Sequence, residues 1–125
     1  MSRRPDPVRT HPIEGQVVLL AGAQASVTLQ RLSELLERVQ RHLVDSRESY
    51  GRRFEHVEAE GRTYYLADDD HWDTVGEQLG LSDSEADAVR RAHASQFRRD
   101  GRRLDRTEEF ETAMEIRDPV TIAPP

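Results

Sequence analysis

Seven arginines crowd the stretch from residue 90 to residue 106: Arg90, Arg91, Arg98, Arg99, Arg102, Arg103 and Arg106. Guanidinium forks match the paired oxygens of phosphates and carboxylates, so a cluster of this density is a ready binder of either. Its setting is unusual, because the 125-residue chain carries 24 acidic residues against 18 basic ones, every one of them arginine, for a net charge of −6. Counted as Arg against Asp plus Glu, residues 1–54 carry +3, residues 55–87 carry −10, residues 88–106 carry +5 and residues 107–125 carry −4. A helix continuing through Gly101 puts Arg91, Arg98, Arg102 and Arg106 on one stripe, with Arg90, Arg99 and Arg103 beside it. Two occupants suit it: the phosphates of double-stranded DNA, or acidic protein surface, whether this chain's own or a partner's.

Other chemistry is sparse. No cysteine is present, which removes disulfides and thiolate metal sites together. The five histidines, His11, His42, His56, His71 and His93, contain no pair at helical chelate spacing, so neither a metal nor any other cofactor is expected. His71 beside Asp68, Asp69 and Asp70 is the one local group with ligand character, and helix capping by Asp69 or Asp70 accounts for those aspartates more simply. His93 falls on an apolar face, as a core imidazole would. Trp72 suits a core position, or an exposed anchor for a partner. With no phosphate-cradling glycine loop and no nucleophile elbow, catalytic residues are not assigned and a non-enzymatic role is expected.

The elements that must carry these groups are mainly α-helical. Residues 1–12 read as a flexible arm, residues 13–117 as a single helical domain, and residues 118–125, with Pro119, Pro124 and Pro125, as a flexible tail. Ile13 to Ala23 suits a short buried helix, with a buried strand as the alternative for so short an apolar run. Leu29, Leu32, Leu36, Val39 and Leu43 step by 3, 4, 3 and 4, which places them along one stripe of a second helix; Leu35 broadens it. Ser26 is the expected cap and Tyr50 the expected end. That stripe serves either the monomer's core or a dimer. Phe54 to Leu66 alternates around Glu60-Gly61 and predicts one short β-hairpin. A helix from about His71 to Leu79 is ended by Gly80. Ser82 and Glu85 form a capping-box pattern opening a helix to about Asp100, with Ala86, Val89, His93 and Phe97 inward. Arg106 to Ile116 predicts a last helix burying Phe110, Met114 and Ala113.

The unit from Trp72 to Arg99, with its Leu79-Gly80-Leu81-Ser82 turn, resembles the helix-turn-helix of transcription regulators. The resemblance implies a second helix that enters the major groove by its amino end. That end here carries Asp83, Glu85 and Asp87, and the arginines follow only from Arg90. Over nearly the whole domain, VQRHL (39–43), HWDTVGEQLGL (71–81), AVRRAH (88–93) and EEFETAMEIRDPV (108–120) resemble small acidic proteins of halophilic archaea. That resemblance implies a cytoplasmic protein working in concentrated salt, and supplies no activity. The longest apolar run, Val17 to Ala21, is far too short to span a bilayer, so no membrane partner is expected. The sequence therefore predicts a nucleic-acid-binding, transcription-regulator-like protein acting through the seven arginines. A protein-interaction or scaffold module dimerising through the leucine stripe is the alternative.

Overall fold

A computed structural model describes residues 11–124, so the arm expected at 1–12 lies outside it except for His11 and Pro12. Among the described residues six helices accompany a three-stranded antiparallel sheet. The chain runs α1 (Gly15–Gln24), α2 (Leu29–Val44), α3 (Arg47–Arg53), β1 (His56–Ala59), β2 (Arg62–Ala67), α4 (His71–Leu79), α5 (Asp83–Arg103), α6 (Thr107–Met114) and β3 (Asp118–Ile122). The mainly α architecture, with one hairpin and a glycine-turned helix pair, is the one the periodicities predict.

Helix α2 opens at Thr28, whose hydroxyl accepts the Arg31 amide at 3.1 Å. Ser26, the expected cap, instead has φ 58° and lies inside the turn leaving α1. The helix also stops sooner than expected: the chain breaks near Asp45 and restarts as α3, which turns Tyr50 inward against Tyr65 and His71. Of the leucine stripe, Leu32, Leu36, Val39 and Leu43 are at most 1% exposed within the monomer's own core, and Leu35 joins them. Leu29 alone of the stripe is exposed, so most of the stripe is used by the monomer's own core.

In the hairpin, Glu60 and Gly61 both have positive φ, the geometry of a two-residue turn matched to strand twist. Strand β3 pairs with the other side of β2, Thr121 opposite Tyr64 and Val120 opposite Tyr65. The flexible tail expected from residue 118 is thereby corrected. Pro119 is tolerated because β3 is an edge strand, and the β-branched residues after it, Val120, Thr121 and Ile122, are buried. The outer edge of β3 is closed by side chains. Thr121 N–H donates to His93 Nδ1 at 3.0 Å, Gln40 Nε2 donates to the Thr121 carbonyl at 2.7 Å, and Ala123 N–H donates to Gln40 Oε1 at 2.9 Å.

Helix α5 is the hub. Its capping box forms as the sequence predicts, and it touches α1, α2, α4, α6, β1 and β3. It runs past Asp100 through Gly101 because an absent side chain there admits another: a Cβ on Gly101 would lie 2.7 Å from the Phe110 ring. Phe110 then stacks on Phe97, centroids 4.3 Å apart.

Candidate functional site

Of the seven arginines, all but Arg106 line the flanks of α5, whose inner stripe of Ala88, Val89, Ala92, His93, Gln96, Phe97, Asp100 and Gly101 is buried; the helix ends at Arg103, so Arg106 leaves the expected stripe and stands at the cap position of α6. Six of the seven are ion-paired within the chain. Arg90 and Arg91 converge on Asp87 at 2.6 and 2.7 Å. Arg98 meets Glu111 at 2.9 Å, and Arg106 meets Glu109 at 2.6 Å. Arg99 and Arg103 reach Glu14, at 3.6 and 2.8 Å. Arg102 is exposed and has no ion pair among the described residues. Partial burial would raise the Asp87 pKa, but the hydrogen bonds from Arg91 and Arg90 outweigh it and the net shift is downward. Most of these carboxylates lie outside the acidic segment 55–87, so the block charges do not map onto opposed faces.

At the inner end of this array sits a polar network that the sequence reading did not find. Asp100, without solvent exposure, accepts from the Tyr64 hydroxyl at 2.6 Å, from Arg62 Nη1 at 3.2 Å and from Gln96 Nε2 at 3.2 Å. Glu14 accepts from Gln96 Nε2 at 2.6 Å and from both terminal nitrogens of Arg103 at 2.9 and 2.8 Å. The Arg103 hydrogen bonds, helped by Gln96, hold the Glu14 carboxyl down at about 2 against the cost of its desolvation. Burial, and then the neighbouring Asp100 carboxylate, push the Tyr64 phenol far above its ordinary range. Gln96 and Asp100 continue the buried spacing of Val89 and His93 on α5, which was the available signal. Their partners Glu14 and Arg62 are distant in sequence and gave none.

Helices α4 and α5 join through Gly80, in the left-handed region at φ 68°. The amino end of α5 presents Asp83 and Glu85, the latter paired with Arg31 at 2.8 Å. A helix that reads DNA must project, whereas α5 packs on α1, α2, α4, α6, β1 and β3.

A cleft of about 330 Å³ lies between α2–α3 and α4, lined among others by His42, Ser46, Ser49, Arg53, Asp68 and Asp70. On its floor the Tyr50 hydroxyl and His71 Nε2 are 3.0 Å apart. Burial first, then the Arg53 charge, lower the His71 pKa to about 4, so the ring is neutral near pH 7. Burial raises Tyr50 to about 12. His71 Nε2 is thus engaged by a tyrosine and not by either serine, and Arg53 opposes Asp68 and Asp70 across the cleft. Asp70 occupies the cap position of α4 without a side-chain cap bond, which departs from the expected capping. No cluster of three or more metal-ligating side chains occurs among the described residues. Behind the cleft Trp72 is buried against His93, ring centroids 4.6 Å apart.

A third surface was not singled out by sequence. Helix α1, GQVVLLAGAQ, has no charged residue. It buries Val17, Val18, Ala21 and Gly22, and it exposes Gly15, Gln16, Leu19, Leu20, Ala23 and Gln24. Leu19 is 52% exposed and Leu20 60%.

The fold and these surfaces belong to a class defined by sequence family alone. The chain is a member of the family described as domain of unknown function DUF8048, whose model matches residues 11–124. No curated protein and no solved structure matches it. Among the described residues no helix is long and apolar enough to cross a membrane.

Proposed function

We propose that this protein is a non-enzymatic protein-interaction module whose contact surface is centred on α1. The observation that carries the reading is the outward face of that helix. Charged residues make up 34% of the chain, yet α1 shows solvent two leucines and no charge. A helix that is apolar all round is normally covered on every side. The described residues cover only one side of this one.

The arginine pairing supports the same reading over a phosphate contact. An exposed ion pair is worth only about 0.2–1 kcal/mol, so each could be opened. The displaced carboxylates of Asp87, Glu109, Glu111 and Glu14 would nevertheless remain beside the phosphates and repel them. A nucleic-acid role through Arg90, Arg91, Arg98, Arg99, Arg102, Arg103 and Arg106 is the competing reading.

A photo-crosslinking residue, p-benzoylphenylalanine, placed at Leu20 or at the exposed control position Glu108 in cells making the full chain, tests the proposal. Protein adducts identified by mass spectrometry from position 20 and not from 108 are expected. Absence of any protein adduct from position 20 overturns it. So does duplex-DNA binding in fluorescence anisotropy that weakens with salt, by about 0.9 log units per phosphate contacted and per decade, if Arg102→Glu and Arg98→Glu abolish it and Leu20→Glu does not.

A further inference from the structure

The face of α1 is complementary to itself, and from this we infer that its occupant is a second copy of this chain, packed α1 against α1 in antiparallel register about a two-fold axis. The inference rests on the interaction reading above and names the partner. An isologous contact requires one patch to match its own rotated image. A two-fold axis between Leu19 and Leu20 sets Leu19 over the second copy's Leu20. It also sets Gln16 over Ala23 and Gly15 over Gln24, so that each glutamine lies on a small residue and the two large side chains meet in the middle. All six are exposed in the monomer. No charged pair is buried, and the antiparallel arrangement brings the positive end of each helix dipole to the negative end of the other.

Size and charge set the strength. A ten-residue helix is about 15 Å long, while a standard interface takes about 800 Å² from each partner. That is roughly a tenth of the 7700 Å² surface of this chain. Helix α1 is therefore the centre of the contact. Its rim at one end is the Glu14–Arg103 ion pair, which the two-fold axis brings to the turn at Ser26 to Thr28 of the other copy. Two copies at −6 each repel one another. Screening shortens that repulsion from a range of about 10 Å at 0.1 M salt to about 3 Å at 1 M. The apolar contact has no such salt penalty. The dimer should tighten with salt, the opposite of a phosphate contact.

Sedimentation equilibrium of the full chain across a potassium chloride series is expected to show a monomer–dimer equilibrium. Its dissociation constant should be of micromolar order and fall with salt. Leu20→Glu should weaken it at least tenfold while circular dichroism and, at protein concentrations below the parent's dissociation constant, melting temperature stay unchanged; Leu20→Gln, which adds no charge, should weaken it less. Register is read by cross-linking in a chain that has no native cysteine. With a short bis-maleimide, Leu20→Cys should link to itself, and Gly15→Cys should link to Gln24→Cys in a mixture but not to itself. A monomer at every salt and protein concentration overturns the inference, as does self-linking of Gly15→Cys. If the adduct from position 20 is then a different protein, the interaction reading stands and only the second copy fails. If the adduct is to residues 1–10 of the same chain, both fail.

Discussion

The Tyr64 hydroxyl donates to Asp100 Oδ2 at 2.6 Å, tying the central strand of the sheet to the hub helix through a carboxylate that water does not reach. Such a carboxylate is tolerable only because its lone pairs are filled, here by Tyr64, Arg62 and Gln96. Tyr64→Phe removes one donor and keeps the ring that packs on Phe97. The expected loss is about 1.5–3 kcal/mol, the range for hydrogen bonds to charged groups, measured as a lower midpoint in urea denaturation with an unchanged slope. An unaltered midpoint would show that the network is ornamental.

Protonation should unfold the protein from the mildly acidic side. His71 is lowered to about 4 and His93 to about 3, in both cases chiefly by burial. An unfolded histidine titrates near 6.5, so between these limits the unfolded chain binds protons that the folded chain refuses. Stability is fully present above about pH 6.5 and falls as pH drops toward 4, with about two protons taken up on unfolding near pH 5. Glu14 adds a later loss of the same sign. Its folded value of about 2 against an ordinary 4.5 removes stability as pH falls below the latter. Urea midpoints measured from pH 7.5 to 4.5 check this. A flat profile, or one unchanged in slope by His71→Asn, contradicts it.

Gly101→Ala should destabilise, against the usual sign. In an exposed helix interior the change gains about 1 kcal/mol. At this position the new methyl would meet Phe110 at Cδ2, Cγ and Cβ, between 2.7 and 3.0 Å. The ring cannot swing clear, because its own Cβ is among the crowded atoms and its face is stacked on Phe97. Overpacking of this kind costs about 1–3 kcal/mol. A melting temperature at or above the parent's would mean that α6 shifts freely on α5.

What the sequence disclosed was local. The Ser82–Glu85 capping box spans one turn, and both of its hydrogen bonds form. The Glu60-Gly61 turn likewise carries its own conformational signature. The α2 stripe was legible as buried, but periodicity does not say whose core buries it. Long-range partners were illegible for a physical reason. Glu14 and Arg103 are 89 residues apart, and a carboxylate looks the same in sequence whether it will face water or the three cations Arg62, Arg99 and Arg103. The arginine stripe misled in the same way. Summing charge over segments treats neighbours in sequence as neighbours in space, whereas the carboxylates that match Arg98, Arg99 and Arg103 arrive from α6 and from the start of α1. Helix α1 was visible as apolar, yet only its packing shows that the other described residues leave a whole face of it uncovered.

Strand β3 supplies the sharpest remaining test, because a tail and a strand make opposite predictions for the same truncation. Removing residues 118–125 from a flexible tail would leave stability untouched. In this fold the cut strips the pairing partner from β2, bares Tyr65 and Ala67, and leaves Gln40 and His93 facing no backbone. Buried polar groups that lose their partners cost about 1–3 kcal/mol each, and the buried Val120 and Ile122 side chains add about 1.5–3 kcal/mol apiece. For a domain of ordinary stability, about 5–15 kcal/mol, that sum is enough to unfold it. Chain ending at Arg117 should therefore be largely unfolded by circular dichroism at 25 °C. The milder Thr121→Pro, which removes the N–H donated to His93 and the hydroxyl donated to the Thr63 carbonyl but keeps the strand, should stay folded with a lowered urea midpoint. A truncated chain that melts like the parent would return residues 118–125 to the tail that their prolines suggest.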